Sequence, residues 1–106
     1  MKETKKVVFL DRDGVINIDK NYLYKWDDFE FISGSIEGMK KLINANYQII
    51  IVTNQSGIAR GFYSENEYLE LTAKYNEVLK NNGINVLDIF YCPHFKGGII
   101  KKYAID

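Results

Sequence analysis

The chain has 106 residues, room for one small domain and not two. Hydrophobic residues make up 46% and charged residues 26%, in apolar runs far too short to cross a bilayer, which indicates an ordinary globular chain and argues against a membrane span. Lys+Arg and Asp+Glu both number 14, and a net charge of zero carries no basic footprint for nucleic acid.

The first residues are charged and lack the apolar segment of a signal peptide. A single cysteine, Cys92, excludes an internal disulfide. Both features point to the reducing cytoplasm.

In chain order, the run VVFL at residues 7–10 reads as a buried strand that ends at Asp11. Residues 14–34 are irregular and aromatic, a flap in which Tyr24, Trp26, Phe29 and Phe31 supply internal packing. Two alternations, at 15–18 and 29–32, suit a small hairpin. Ser35 is suited to cap a helix whose apolar face is Ile36, Met39, Leu42 and Ile43, with Asn44 and Asn46 ending it. The run IIIV at 49–52 is a second buried strand, leading to Thr53. Ser64 and Glu67 form a capping box for a second helix, with a buried stripe of Tyr68, Leu71, Tyr75, Val78 and Leu79 and a stop at Gly83. Residues 86–91 form the third strand. Strands alternating with helices predict right-handed crossovers and an α/β, Rossmann-like parallel sheet with helices on both faces.

Asp11, Thr53 and Cys92 each follow a strand, and open α/β sheets bind ligands beyond the carboxyl ends of their strands. In Asp11-Arg12-Asp13-Gly14 the strand delivers one carboxylate to that edge. The turn brings back a second, and Gly14 permits the sharp departure. Two carboxylates so close repel unless a cation lies between them, which makes a Mg²⁺ site natural. A bare D-x-D-G is otherwise a solvated turn, and a threonine after a strand is otherwise a local turn residue.

The string VVFLDRDGVIN resembles the first motif of the haloacid dehalogenase superfamily, and IIIVTNQSGIARG at 49–61 resembles the second motif of one branch. That branch comprises the D-glycero-D-manno-heptose 1,7-bisphosphate phosphatases and the histidinol-phosphatases. The Tyr91-Cys92-Pro93-His94 segment fits it too. The resemblance covers nearly the whole chain and implies an enzyme, a Mg²⁺-dependent phosphoric monoester hydrolase acting on a small sugar phosphate. It implies Asp11 as nucleophile and Mg²⁺ ligand, with Asp13 supplying its backbone carbonyl to the metal and its carboxyl as general acid and base. Thr53 would bind phosphoryl oxygens. Asp19, Lys20, Asn21 and Tyr22 in the flap, together with Asn54, Gln55, Ser56 and Arg60, would contact substrate. Arg60 is equally suited to be a surface arginine.

Cys92 and His94 have the spacing of half a zinc site; a structural centre takes four ligands. From the residues alone the pair reads as a buried cysteine beside an exposed histidine. In the family a later C-x-C pair completes Cys₃His, and a later basic residue and acidic residues complete the phosphoryl and Mg²⁺ sites. Lys101, Lys102 and Asp106 do not match those motifs. Residues 1–106 are therefore expected to be the N-terminal part of a single phosphatase domain whose full-length form is monomeric. The alternatives are a histidinol-phosphatase, a receiver-like phosphate-binding domain or an inactive fragment that needs a partner chain.

Overall fold

The computed structural model describes residues 6–96 and residue 98. Lys101, Lys102 and Asp106 lie outside them. Three strands, β1 (Lys6–Asp11), β2 (Tyr47–Asn54) and β3 (Asp88–Cys92), alternate with two helices, α1 (Ser35–Asn44) and α2 (Glu65–Asn81). The sheet is parallel throughout in the order β1-β2-β3. Its register sets Asp11 opposite Val52, Thr53 opposite Tyr91, and Asn54 opposite Cys92, so the polar strand ends meet at one edge.

Two right-handed crossovers that step across a sheet in the same direction place both helices on the same side. One core accordingly contains Met39 of α1 and Leu71, Tyr75 and Leu79 of α2, packed on Ile49 and Ile51 of β2, with Val8, Leu10 and Ile89 at its margin. Helices on both faces were expected from the alternation. Within the described residues the second face is uncovered: Val7, Phe9 and Phe90 are 42, 62 and 53% exposed there.

The local signals account for most boundaries. Ser64 accepts from the Glu67 amide at 3.0 Å and its own amide donates to the Glu67 carboxylate at 2.9 Å, the reciprocal capping box. Gly83, at φ +78°, closes α2 while Ile84 N–H reaches back to Leu79. Ser35 is not the cap of α1. Gly34 holds that position in a left-handed conformation, φ +88°, and Ser35 is the first helical residue. The third strand starts at Asp88 rather than at residue 86.

The flap is tied to itself by antiparallel contacts: Ile18 N–H donates to Glu30 and Ile32 N–H to Ile16. Its aromatics also pack outward. Phe29 stacks on Tyr75 of α2 at 5.3 Å, and Tyr24 stacks on Tyr63 at 5.5 Å. Tyr63 belongs to a second small core with Ile58 and Tyr68, which shapes the loop between β2 and α2. No helix among the described residues is long and apolar enough to cross a membrane.

Candidate active site

A cleft of about 420 Å³ opens at the carboxyl edge of the sheet. Asp11, Asp13, Asp19, Asn21, Tyr22, Thr53, Asn54, Gln55 and Ser56 all line it. Lys20 and Arg60 stand apart. Lys20 pairs with Glu30 at 3.2 Å on the surface, and the Arg60 guanidinium lies 3.7 Å from the Phe95 ring centre and 5.8 Å from that of Tyr22. Asn21 and Tyr22 have φ values of +26° and +61°. Positive φ in a non-glycine residue costs free energy and clusters at functional sites, and these two residues form the flap wall of the cleft.

The two carboxylates of the D-x-D-G turn have different environments. Asp11 is exposed at the end of β1, and its carboxylate has no protein partner among the described residues. Asp13 is held. Arg12 Nε and Nη2 donate to Asp13 Oδ1 at 3.1 and 2.9 Å, Nη2 donates to Oδ2 at 3.0 Å, and Asn17 Nδ2 donates to Oδ1 at 2.9 Å. The Arg12 side chain is 1% exposed and that of Asp13 23%. The Arg12 carbonyl accepts from the amides of Val15, Ile16 and Asn17, while Gly14, at φ +86°, donates to the Asn17 carbonyl at 2.7 Å. This tight turn is what aims Asp13 at the cleft.

On the opposite wall, Thr53 is 8% exposed and Gln55 only 2%. Gln55 Nε2 donates to Thr53 Oγ1 at 2.9 Å, and the Tyr63 hydroxyl donates to Gln55 Oε1. Burial pushes the Tyr63 phenol up to about 12; Arg12 opposes the rise and Asp13 adds to it. Tyr63 is therefore a protonated donor at neutral pH. Sequence reasoning missed Arg12, Asn17 and Tyr63. Arg12 and Asn17 were visible only as neighbours of Asp13, and Tyr63 lies eight residues beyond Gln55 with no period linking them.

Cys92 is exposed and His94 half-buried, the reverse of the expected order. The strand alternation explains it, since Ile89 and Tyr91 face the helices and Cys92 falls on the uncovered side. Cys92 and His94 line a neighbouring hollow together with Asp11 and Thr53. Among the described residues no group of three or more His, Cys, Asp or Glu side chains could hold a metal ion, so Cys92 and His94 alone do not make a zinc centre. Mg²⁺ asks less of a protein, commonly one or two carboxylates supplemented by phosphate and water. The unengaged carboxylate of Asp11 fits that role better than the Asp13 carboxyl, which already accepts from Arg12 and Asn17.

A parallel sheet whose strand ends gather an open aspartate, a held aspartate and a buried threonine around one polar cleft is a haloacid dehalogenase-like α/β fold, the class of the solved phosphatases it superimposes on. The solved D,D-heptose 1,7-bisphosphate phosphatase from B. bronchiseptica, complexed with magnesium and phosphate, matches with a TM-score of 0.79 at 34% identity, over 87% of this chain and 52% of that one. Residues 6–102 match the polynucleotide kinase 3 phosphatase family, and the chain belongs to that family. It is 54% identical over 101 residues to the D-glycero-alpha-D-manno-heptose-1,7-bisphosphate 7-phosphatase of Photorhabdus laumondii, covering 95% of this chain and 55% of the relative. It is 48% identical over 94 residues to the D-glycero-beta-D-manno-heptose-1,7-bisphosphate 7-phosphatase of Pasteurella multocida, covering 89% and 51%. The chain thus spans about half the length of the curated relatives it matches.

Proposed function

We propose that residues 1–106 form the N-terminal part of one phosphatase domain, with a flap at about 14–34. This domain removes the 7-phosphate of D-glycero-D-manno-heptose 1,7-bisphosphate on the route to activated heptose for surface polysaccharide, in the cytoplasm. The observation that carries this reading is the open Asp11 carboxylate, set at the end of β1 on a polar cleft shared with Thr53. The names and identities of the relatives support the heptose substrate over histidinol phosphate, and the zero net charge favours a small phosphate ester over nucleic acid.

In this reading an Asp11 oxygen attacks phosphorus, the bond to the sugar oxygen breaks, and an aspartyl-phosphate forms. Asp13, held in place by Arg12 and Asn17, gives a proton to the departing sugar oxygen. It then takes one from the water that hydrolyses the intermediate. Thr53 and the backbone amide of Asn54 bind phosphoryl oxygens. Mg²⁺ held by Asp11 and the Asp13 carbonyl would supply charge neutralisation between the two anions. Cys92 and His94 would join a structural zinc centre only with ligands from outside the described residues.

The test is phosphate release from heptose 1,7-bisphosphate and from histidinol phosphate in MgCl₂, followed by borohydride reduction of the quenched enzyme and peptide mapping. Release from the heptose substrate with homoserine at position 11 supports the reading. Unchanged turnover by Asp11→Asn, or a label mapped to another residue, overturns it.

A further inference from the structure

The Thr53 hydroxyl has one proton to give and two lone pairs to offer. Which of these faces the cleft decides whether Thr53 can serve an anion, since only the proton is attractive to a phosphoryl oxygen. From the chain Tyr63 to Gln55 to Thr53 we infer that Gln55 and Tyr63 are positioning residues that fix the Thr53 hydroxyl as a donor into the cleft. The inference rests on the phosphoryl-binding role given to Thr53 above.

Gln55 was expected to touch substrate. Its amide is instead spent inside the protein, at 2% exposure. Nε2 donates to Thr53 Oγ1, which occupies a lone pair on that oxygen and leaves its proton to point elsewhere. A carboxamide can be turned over, and the turned form would present Oε1 to Thr53 and absorb the hydroxyl proton. Tyr63 decides between the two. As the structure stands, its buried O–H donates to Gln55 Oε1 and has no other acceptor among the described residues. Turning the amide would set an N–H₂ against the phenol and leave the phenolic proton without a partner, at the cost of a buried donor.

The ring is fixed as firmly as the amide. A Cβ at Gly57 would lie 2.8 Å from Tyr63 Cζ and 3.0 Å from its oxygen, so only glycine lets the ring close on the loop. Tyr24 stacks on the ring's face, and Ile58 and Tyr68 pack with it. The Gln55 backbone is pinned from the strand side, its N–H donating to the Cys92 carbonyl at 2.8 Å. One direction of proton donation therefore runs from a packed ring, through a buried amide, to the hydroxyl on the cleft wall.

The experiment titrates inorganic phosphate in excess MgCl₂ against the ¹⁵N-labelled chain and three variants, Tyr63→Phe, Thr53→Val and the double variant. Circular dichroism verifies the fold of each. Thr53→Ser, alone and combined with Tyr63→Phe, serves as a conservative control. Tyr63→Phe is expected to weaken phosphate binding about tenfold, the worth of one hydrogen bond to a charged group, whether position 53 holds the native threonine or serine. Added to Thr53→Val, it is expected to change nothing further. It is also expected to speed solvent exchange of the Gln55 side-chain amide protons. Equal losses from Tyr63→Phe with and without Thr53→Val, or Gln55 amide exchange unaltered in Tyr63→Phe, would overturn the inference while leaving the phosphoryl role of Thr53 intact. Full phosphate affinity in Thr53→Val would overturn that role, and the inference with it.

Discussion

Asp13→Ala removes the carboxylate that faces a guanidinium with 1% of its side chain exposed. Stranding one member of a buried ion pair costs about 3–5 kcal/mol. The Asp13 side of this pair is 23% exposed, so water can reach the vacated position and the lower figure, about 3 kcal/mol, applies. In a domain of this size that is a fall in Tm of roughly 12 to 24 °C, against a total stability of about 5–15 kcal/mol. Asp13→Asn keeps an acceptor for Arg12 but no charge and should lose about half as much. The double variant Arg12→Met, Asp13→Ala removes both charges and should recover much of the loss. Urea melts followed by far-UV circular dichroism at 25 °C measure all four chains. The reasoning is refuted if Asp13→Ala unfolds within about 0.5 kcal/mol of the unaltered chain, or if the double variant is no more stable than Asp13→Ala. One practical corollary is that lost turnover in an Asp13 variant speaks to chemistry only below that variant's own melting range.

Two further outcomes are expected. Burial raises the phenols of Tyr63, Tyr68 and Tyr75, Tyr63 to about 12, so the native state holds these protons after the unfolded chain has released them. Stability should be level below the unfolded value near 10. Above it, stability should fall by up to about 1.4 kcal/mol per pH unit for Tyr63 through the window from 10 to 12, with Tyr68 and Tyr75 adding to the fall in the same direction. Urea melts between pH 8 and 12 check this, and a flat profile contradicts it. Ser64→Ala removes the side-chain half of the capping box at the start of α2, leaving the backbone N–H of residue 64 to donate to Glu67, and should cost about 1 kcal/mol. A melt unchanged to within error would show that the tertiary packing of Tyr68 and Leu71, rather than the cap, sets that boundary.

Features that depend on short stretches of chain were legible in the sequence. The strand end at Asp11, the capping box and the stop at Gly83 each follow from a few adjacent residues, and the structure places them as read, while β2 runs one residue past Thr53 to Asn54. What escaped depends on three-dimensional neighbours. Arginine is seldom fully buried, and no residue beside Arg12 signals that the turn folds it inward against Asp13. Gln55 looked like a ligand contact because its type and position suited one. Its interior role appears only once Tyr63 returns across Gly57. Cys92 was assigned to the interior by residue type, and the parity of β3 put it on the other side. The resemblance implied a substrate contact for Lys20 and left Arg60 open between that and a surface role; Lys20 pairs with Glu30 and Arg60 stacks on Phe95, and neither lines the cleft.

Among the described residues, β1 is hydrogen-bonded to β2 on one flank only, so the strand that presents Asp11 is a border of the sheet. A border strand can accept one more parallel neighbour, and parallel strands finish on the same side. A parallel segment docked there would end alongside Asp11, and a right-handed connection to it from β3 would cross the face that carries Phe9. Among the described residues, the flank of β1 is thus one of two borders of this sheet, with β3 the other, and the one where side chains could be added beside Asp11 without disturbing an existing ladder.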